Sequence, residues 1–332
     1  MKAERSFADV GQLTGVVQEV FGTDRSIVGV DRLAGGTKKG VYRVALDDRT
    51  STVIYIWSAE EDYWDGLLPD SSTDPASVFA HSSGIDLFEA ATRRLQAVGV
   101  RSPRLLFTDR SERLYPGQIA VAEDIRGGTL QQLLDRDPEA GKATLEQLAE
   151  MLRAMHRYRA PGFGKVAFVD GGGVSRGGTC EAAHLEHALM NIADGATRDP
   201  RAAKAREQLE HKLRTLYARV EPRSEFGLVH GELCADHTLV GPDSEPVLID
   251  IEGLMYFDVE VDHTWMRMRF QHHYPPLHNP NLDPVRMAYY QYTMHLDLVG
   301  GPLRIADGDF PDRDWMLGVA DEHLQKALAY TI

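Results

Sequence analysis

Up to Asp124 the apolar residues come in short, β-branched runs, and beyond Leu130 they recur at spacings of three and four. The runs "SIVGVDRLAG", "GVYRVALDD" and "STVIYIWS" are rich in valine, isoleucine and aromatics and are broken by glycine or paired acids, which predicts an antiparallel meander. An amphipathic stretch near Asp9 to Phe21 predicts a helix ahead of it. "RLLFTD" and "QIAVAED" extend the small sheet. Between them and the meander lies "IDLFEAATRRLQAVGV", with Leu87, Ala90, Ala91, Leu95 and Val98 at helical spacing and a stop at Gly99. The preceding segment, "AEEDYWDGLLPDSSTDPASVFAHSSG", is polar and has no period. A glycine pair in "IRGGTL" ends this texture, so the chain is expected to divide into residues 1–124 and 125–332. In the second part "TLEQLAEMLRAMHRY", "CEAAHLEHALMNIA", "PRAAKAREQLEHKLRTLYARV", "DPVRMAYYQYTMHLDL" and "RDWMLGVADEHLQKALAY" read as amphipathic helices.

Composition narrows the partners. A formal charge of −14 repels nucleic acid and anionic membrane surfaces and favours a cationic ligand. No apolar run approaches the roughly 20 residues that cross a bilayer, and the opening residues lack a signal-peptide core, so a cytoplasmic protein is expected. Two well-separated cysteines suggest neither a disulfide framework nor a thiolate zinc site.

The chemistry concentrates in "LVHGELCADHTLVGPDSEPVLIDIEG", Leu228 to Gly253, which interrupts the helical half with two apolar strand candidates. Carboxylates and imidazoles stand at their ends: Glu232, Asp236, His237, Asp250 and Glu252. The order His230-Gly231-Glu232, then His237, then Ile249-Asp250-Ile251-Glu252 resembles the aminoglycoside phosphotransferase family of protein-kinase-like enzymes. That family shows "HGD", four residues, Asn, and then a strand ending in "ID" with a second acid. "LFEAATRRLQAVGVRSPRLL", "IAVAEDIRGGTL", "LAEMLRAMHRY" and "FDVEVD" carry the resemblance through nearly the whole chain.

The resemblance implies an α+β, kinase-like two-lobe fold: a small antiparallel nucleotide-binding lobe and a larger helical lobe. It implies a phosphotransferase moving the ATP γ-phosphoryl group, with GTP as the alternative donor, to a hydroxyl of a small molecule. Glu232, His230 and His237 would be catalytic. Asp250, Glu252 and His237 would hold Mg²⁺, whose preference for hard oxygen ligands suits the two carboxylates. Gly35, Gly36, Lys38 and Lys39 stand where a phosphate-binding glycine turn belongs, Glu123 and Ile125 at the hinge, and Glu89 where the family has a lysine-pairing glutamate. Tyr55 occupies the place of that lysine, so Lys38 or Lys39 is expected to supply the charge. Asp262 would be structural. Charge and family together favour a polycationic natural product such as an aminoglycoside, in self-resistance or biosynthesis, with Asp258, Glu260, Glu181 and Glu186 as candidate contacts. A monomer or homodimer is expected. A nucleotide-binding pseudokinase, or a kinase of a neutral metabolite or macrolide, are the competing readings.

Overall fold

The computed structural model describes residues 5–34, 36–68 and 70–332; Gly35 of the expected glycine turn lies outside them. The chain begins with α1 (Val10–Phe21), whose start is fixed by Asp9: its carboxylate accepts from the Gln12 amide while the Gln12 side chain returns to the Asp9 amide. Strands β1 (Ile27–Arg32), β2 (Gly40–Leu46) and β3 (Ser51–Trp57) follow, then α2 (Ile85–Ala97), β4 (Leu105–Asp109) and β5 (Gln118–Glu123). They form one antiparallel sheet in the order β1-β2-β3-β5-β4. β3 shows why its sequence is an unbroken apolar run. Ile54 and Ile56 join Leu13, Val16 and Val17 of α1 on one face, whereas Val53, Tyr55 and Trp57 pack with Phe88 and Leu95 of α2 on the other. Both faces are covered, so nothing selects for alternation.

Beyond the linker come α3 (Leu130–Arg136), α4 (Pro138–Arg157), β6 (Gly164–Lys165), α5 (Val166–Asp170), α6 (Cys180–Arg198) and α7 (Pro200–Tyr217). Then follow β7 (Gly227–Val229), β8 (Thr238–Val240), β9 (Pro246–Leu248), β10 (Met255–Phe257), α8 (Glu260–Phe270), α9 (Pro284–Ala306) and α10 (Arg313–Ala329). α4 begins earlier than its apolar spacing suggests, because Asp137 caps the Ala140 amide and Pro138 is preset for the first turn. α9 runs past its expected end through Gly300, Gly301 and Pro302. Its glycine is a packing device: a Cβ on Gly300 would come within 2.7 Å of the Asn191 side chain on α6. No described helix is long and apolar enough to cross a membrane.

The expected hairpin forms only in part. β8 pairs with β9, but β7 joins β6 and β10 in a three-stranded sheet ordered β6-β10-β7. The linker rests on this assembly. A Cβ on Gly127 would lie 2.0 Å from the Val240 carbonyl oxygen, and the Val240 amide donates to the Gly128 carbonyl at 3.0 Å. The glycine pair therefore marks where linker backbone touches β8 backbone.

The aperiodic insertion, residues 59–84, is a strap between the lobes. Tyr63 buries against Ile305, Ala306 and Met316 of α9 and α10, and Phe79 stacks on His187 of α6 with ring centroids 4.1 Å apart. The same strap grips the glycine turn. The Tyr63 amide donates to the Thr37 carbonyl at 2.9 Å, Trp64 Nε1 to Thr37 Oγ1 at 3.1 Å, and Ser83 Oγ to the Lys38 carbonyl at 3.0 Å.

Candidate active site

The loop after β7 is held from below by Asp262. One Asp262 oxygen accepts from the His230 amide at 3.0 Å and from His156 Nε2 at 3.1 Å, and the other from the Gly231 amide at 2.7 Å. Burial works against its charge, but His156, His230 and the Gly231 amide keep the carboxyl below the usual range. Gly231 turns here with φ of 94°, a backbone that side chains rarely adopt. Asp262 thus has the structural part expected of it. His230 does not reach the cleft as a catalytic group would: it is buried, and its Nε2 lies 2.9 Å from the Ile249 carbonyl. The imidazole ties the loop to the segment that carries Asp250.

Glu232 is the next residue out, and its side chain is exposed. His237 connects it to the acids. Its Nδ1 donates to the Glu232 carbonyl at 3.0 Å, and its Nε2 is 3.8 Å from Asp250 Oδ2. Burial disfavours the charged imidazole, yet Cys234, Asp250 and Glu232 together lift its pKa to about 9. His237 thus links the loop after β7 to the segment that carries the acids, standing between the Glu232 carbonyl and Asp250. Asp236 faces outward, 3.6 Å from Arg269.

Asp250 and Glu252 were expected to share a side through strand alternation, and the structure brings them together differently. Asp250 has left-handed dihedrals, φ 58° and ψ 48°, and residues Ile251–Gly253 form a single 3₁₀ turn. The two carboxylates nonetheless converge on one atom. Lys39 Nζ lies 2.7 Å from Asp250 Oδ1 and 2.7 Å from Glu252 Oε1. Glu252 is 3% exposed and Lys39 is buried, so the Lys39–Glu252 pair is shielded from solvent, whereas Asp250 keeps an open side. Lys39 holds the Asp250 carboxyl far below its ordinary range against the opposing effect of burial. In turn, the two acids overcome burial and raise the ammonium above its usual value. Of the two loop lysines, Lys39 is the one that reaches the acids.

The absence of a lysine on β3 is now explained by packing. The Tyr55 ring sits 5.0 Å from Phe88 and 6.2 Å from Trp57, in an apolar layer, with Lys39 Nζ 5.9 Å from its centroid. Glu89 is correspondingly released. It does not meet a lysine in the cleft but pairs with Arg110 at 2.7 Å on the outer side of α2. This corrects the nucleotide-binding role expected of it. At the hinge, Ile125 is buried, and the Glu123 side chain is taken by Arg101 at 2.9 Å.

The acids expected to meet an acceptor are corrected as well. Asp258 and Glu260 are buried in a network with Arg223, Arg286 and Tyr290, with Arg223 Nη1 2.9 Å from Glu260 and Tyr290 donating to Asp258 at 2.6 Å. Glu181 is buried beside Arg286 at 3.8 Å. Asp258 and Glu181 are thus committed to buried Arg286, and Glu260 to half-buried Arg223, and none of the three lines the cavity under the strap. Glu186 is exposed on α6 and does not line that cavity either.

This separate cavity, of about 550 Å³, is walled by the strap, the start of α2 and residues 165–168 of β6 and α5; neither the loop after β7 nor the two acids Asp250 and Glu252 line it. Asp62, Trp64, Asp65, His81 and Asp86 line it, with Lys165 from β6 at its floor. Asp62 accepts from His81 at 2.6 Å and Asp86 pairs with Arg110 at 2.9 Å, leaving exposed Asp65 as the open carboxylate. Lys165 Nζ donates to Ser82 Oγ at 2.5 Å. Burial, helped by nearby Lys38 and opposed by Glu232 and Glu252, brings its pKa down to about 7. Sequence patterning missed Lys165 and the strap. The one available signal was Tyr63-Trp64, two large aromatics inside an otherwise polar segment.

Comparison with known proteins agrees with this architecture. A profile described as "Phosphotransferase enzyme family" matches residues 40–295. Spectinomycin phosphotransferase APH(9)-Ia, in complex with ADP and spectinomycin, is 14% identical, with a TM-score of 0.63 over 98% of this chain and 99% of that one. A thermostable mutant of aminoglycoside phosphotransferase APH(4)-Ia, in a ternary complex with AMP-PNP and hygromycin B, is 17% identical, with a TM-score of 0.59 over 97% and 100%. A putative aminoglycoside phosphotransferase from Ralstonia eutropha JMP134 is 13% identical, with a TM-score of 0.64 over 96% of each chain. No curated protein matches by sequence. At these identities the structural likeness shows the fold, the kinase-like two-lobe α+β architecture.

Proposed function

The chain belongs to the phosphotransferase enzyme family and is an ATP-dependent small-molecule kinase, and on that premise we propose that it phosphorylates a hydroxyl of a cationic natural product, held under the strap, with Glu232 as the base. One observation carries the reading. Three segments far apart in sequence, the glycine turn, the loop after β7 and the acids after β9, meet through Lys39 and His237. Phosphoryl transfer asks for this combination, because its transition state is stabilised mainly by positioning and positive charge.

Asp250 and Glu252 are the oxygen donors for a magnesium ion. Among the described residues no three His, Cys, Asp or Glu side chains converge as a complete metal set. This suits an ion that draws its remaining ligands from phosphate and water. When bound, such an ion neutralises charge on the phosphate oxygens. Lys39 supplies the cation that β3 lacks and, without nucleotide, it neutralises the two acids itself. Removal of Lys39 therefore has two opposite effects. Lys39→Met is expected to raise KM for ATP about tenfold or more, the size of a lost charge-assisted hydrogen bond. It should at the same time tighten divalent-cation binding in the absence of nucleotide, measured by calorimetry. A lower KM for ATP in the variant would show that Lys39 only blocks the site.

Glu232 is exposed at the lip of the cleft and can accept the proton of an acceptor hydroxyl. The backbone of Glu123 and Ile125 provides the adenine edge of the nucleotide site. Support for the cationic acceptor comes from Asp65, the open carboxylate in the cavity wall. Structural neighbours that bind hygromycin B and spectinomycin are consistent with this choice. A cytoplasmic role in self-resistance or antibiotic biosynthesis follows from the same substrate class. Since exposed charges are screened over about 10 Å at 0.1 M salt and about 3 Å at 1 M, KM for the acceptor should rise with ionic strength. Asp65→Asn should raise it several-fold at low salt and flatten that dependence. Steady-state kinetics over an aminoglycoside panel measure both, and a KM indifferent to salt would point to a neutral acceptor.

A further inference from the structure

We propose that the helical lobe carries a second ligand site, for a small organic anion, in a cavity of about 760 Å³ behind the catalytic loop. It lies between the last turns of α4, residues 222–227, the start of α8 and residues 277–281, and shares no lining residue with the cavity under the strap. A volume of this order is ordinary for a small-molecule site.

Two independent features identify the ligand. The first is charge. Arg153, Arg157, Arg159 and Arg223 line the cavity against Glu225 and Glu260, so cations outnumber carboxylates on a chain whose formal charge is −14. Arg223 is held by Glu260 at 2.9 Å, Arg159 by Glu225 at 3.2 Å and Arg153 by Glu150 at 2.8 Å. Arg157, exposed at the cavity edge, has no carboxylate partner among the described residues.

The second feature is His263. This lining residue is 1% exposed, and its Nε2 has no hydrogen-bond partner. The Tyr274 hydroxyl lies 3.0 Å from the Nδ1 of this ring and 3.4 Å from His278 Nδ1; with its proton given to the nearer ring, the His263 proton sits on Nε2. A buried donor without an acceptor is rare in native proteins, and an anion supplies the acceptor. Leu152, Phe257 and Leu277 complete the wall and suit an apolar body behind the anionic head.

The site also adjoins the catalytic machinery. His156 lines the cavity and donates to Asp262, which holds the His230 and Gly231 amides. The cavity wall is thus one hydrogen bond removed from the carboxylate that holds the loop after β7.

Calorimetric titration of phenyl phosphate into the full chain, with the cleft saturated by Mg·ADP, tests the proposal. Saturable binding is expected, about tenfold or more weaker in Arg157→Glu and retained in Arg157→Lys, as for a charge-assisted contact. Arg157 is exposed, so the variants fold, and thermal unfolding without phenyl phosphate verifies it. No binding to the ADP-filled protein, or equal affinity in Arg157→Glu, overturns the proposal.

Discussion

Asparagine in place of Asp250 is expected to lower turnover by at least about a thousandfold, roughly 4 kcal/mol of transition-state stabilisation, while the fold survives. The survival follows from the backbone. Asp250 stands in the left-handed region, φ 58° and ψ 48°, and asparagine is among the few side chains that tolerate it. Lys39 keeps its second partner, Glu252, at 2.7 Å. The chemical loss follows from charge. Asp250 is the more exposed of the two acids, with 46% of its side chain accessible against 3% for Glu252, and it is the one that can meet an incoming phosphate. Unfolding without ligand should shift little, whereas the stabilisation that saturating Mg·ATP confers on the wild type, about 2.7 kcal/mol at a hundred times Kd, should largely disappear. Equal stabilisation of Asp250→Asn by Mg·ATP would remove Asp250 from the nucleotide site.

Glu232→Gln should reduce kcat by about a hundredfold to ten-thousandfold, the range of a positioned general base, with nucleotide affinity nearly unchanged. Only the side chain is altered, and the link from the Glu232 carbonyl to His237 belongs to the backbone. The sharper variant is Glu232→Asp. His237, lifted to a pKa of about 9, spans the Glu232 carbonyl and Asp250 and so sets the loop around the present residue. A carboxylate one methylene shorter falls about 1 Å short of the acceptor hydroxyl, which can cost on the order of a hundredfold. Single-turnover assays with and without acceptor separate this loss from nucleotide binding. If the wild type were inactive with every acceptor, and Glu232→Asp with His237→Asn created phosphotransfer, the site would be a nucleotide-binding regulatory one and the catalytic reading would fall.

Local order was written in the sequence because its causes act over a few residues. The β-branched runs predicted the antiparallel strands β1 to β3, the amphipathic stretch from Asp9 predicted α1, and the glycine pair at 127–128 marked the linker. The residues from His230 to Glu252, through their resemblance to the family, pointed to loops that the short β8–β9 hairpin holds close together. What the sequence left undetermined was which charges meet. Lys39 and Asp250 are 211 residues apart, and their pairing depends on the strap that grips the glycine turn from Tyr63, Trp64 and Ser83. Asp258, Glu260 and Glu181 read as open acids, yet packing of α6, α8 and α9 buried them, and a buried carboxylate must take whatever cation the fold brings, here Arg223 and Arg286. Glu89 turned outward for the same reason: Tyr55 and Phe88 filled the inner face of α2 with aromatic rings, and Arg110 offered the nearest cation. Strand and helix patterns record which side of an element is buried, but the partner of a buried charge is chosen by tertiary contacts alone.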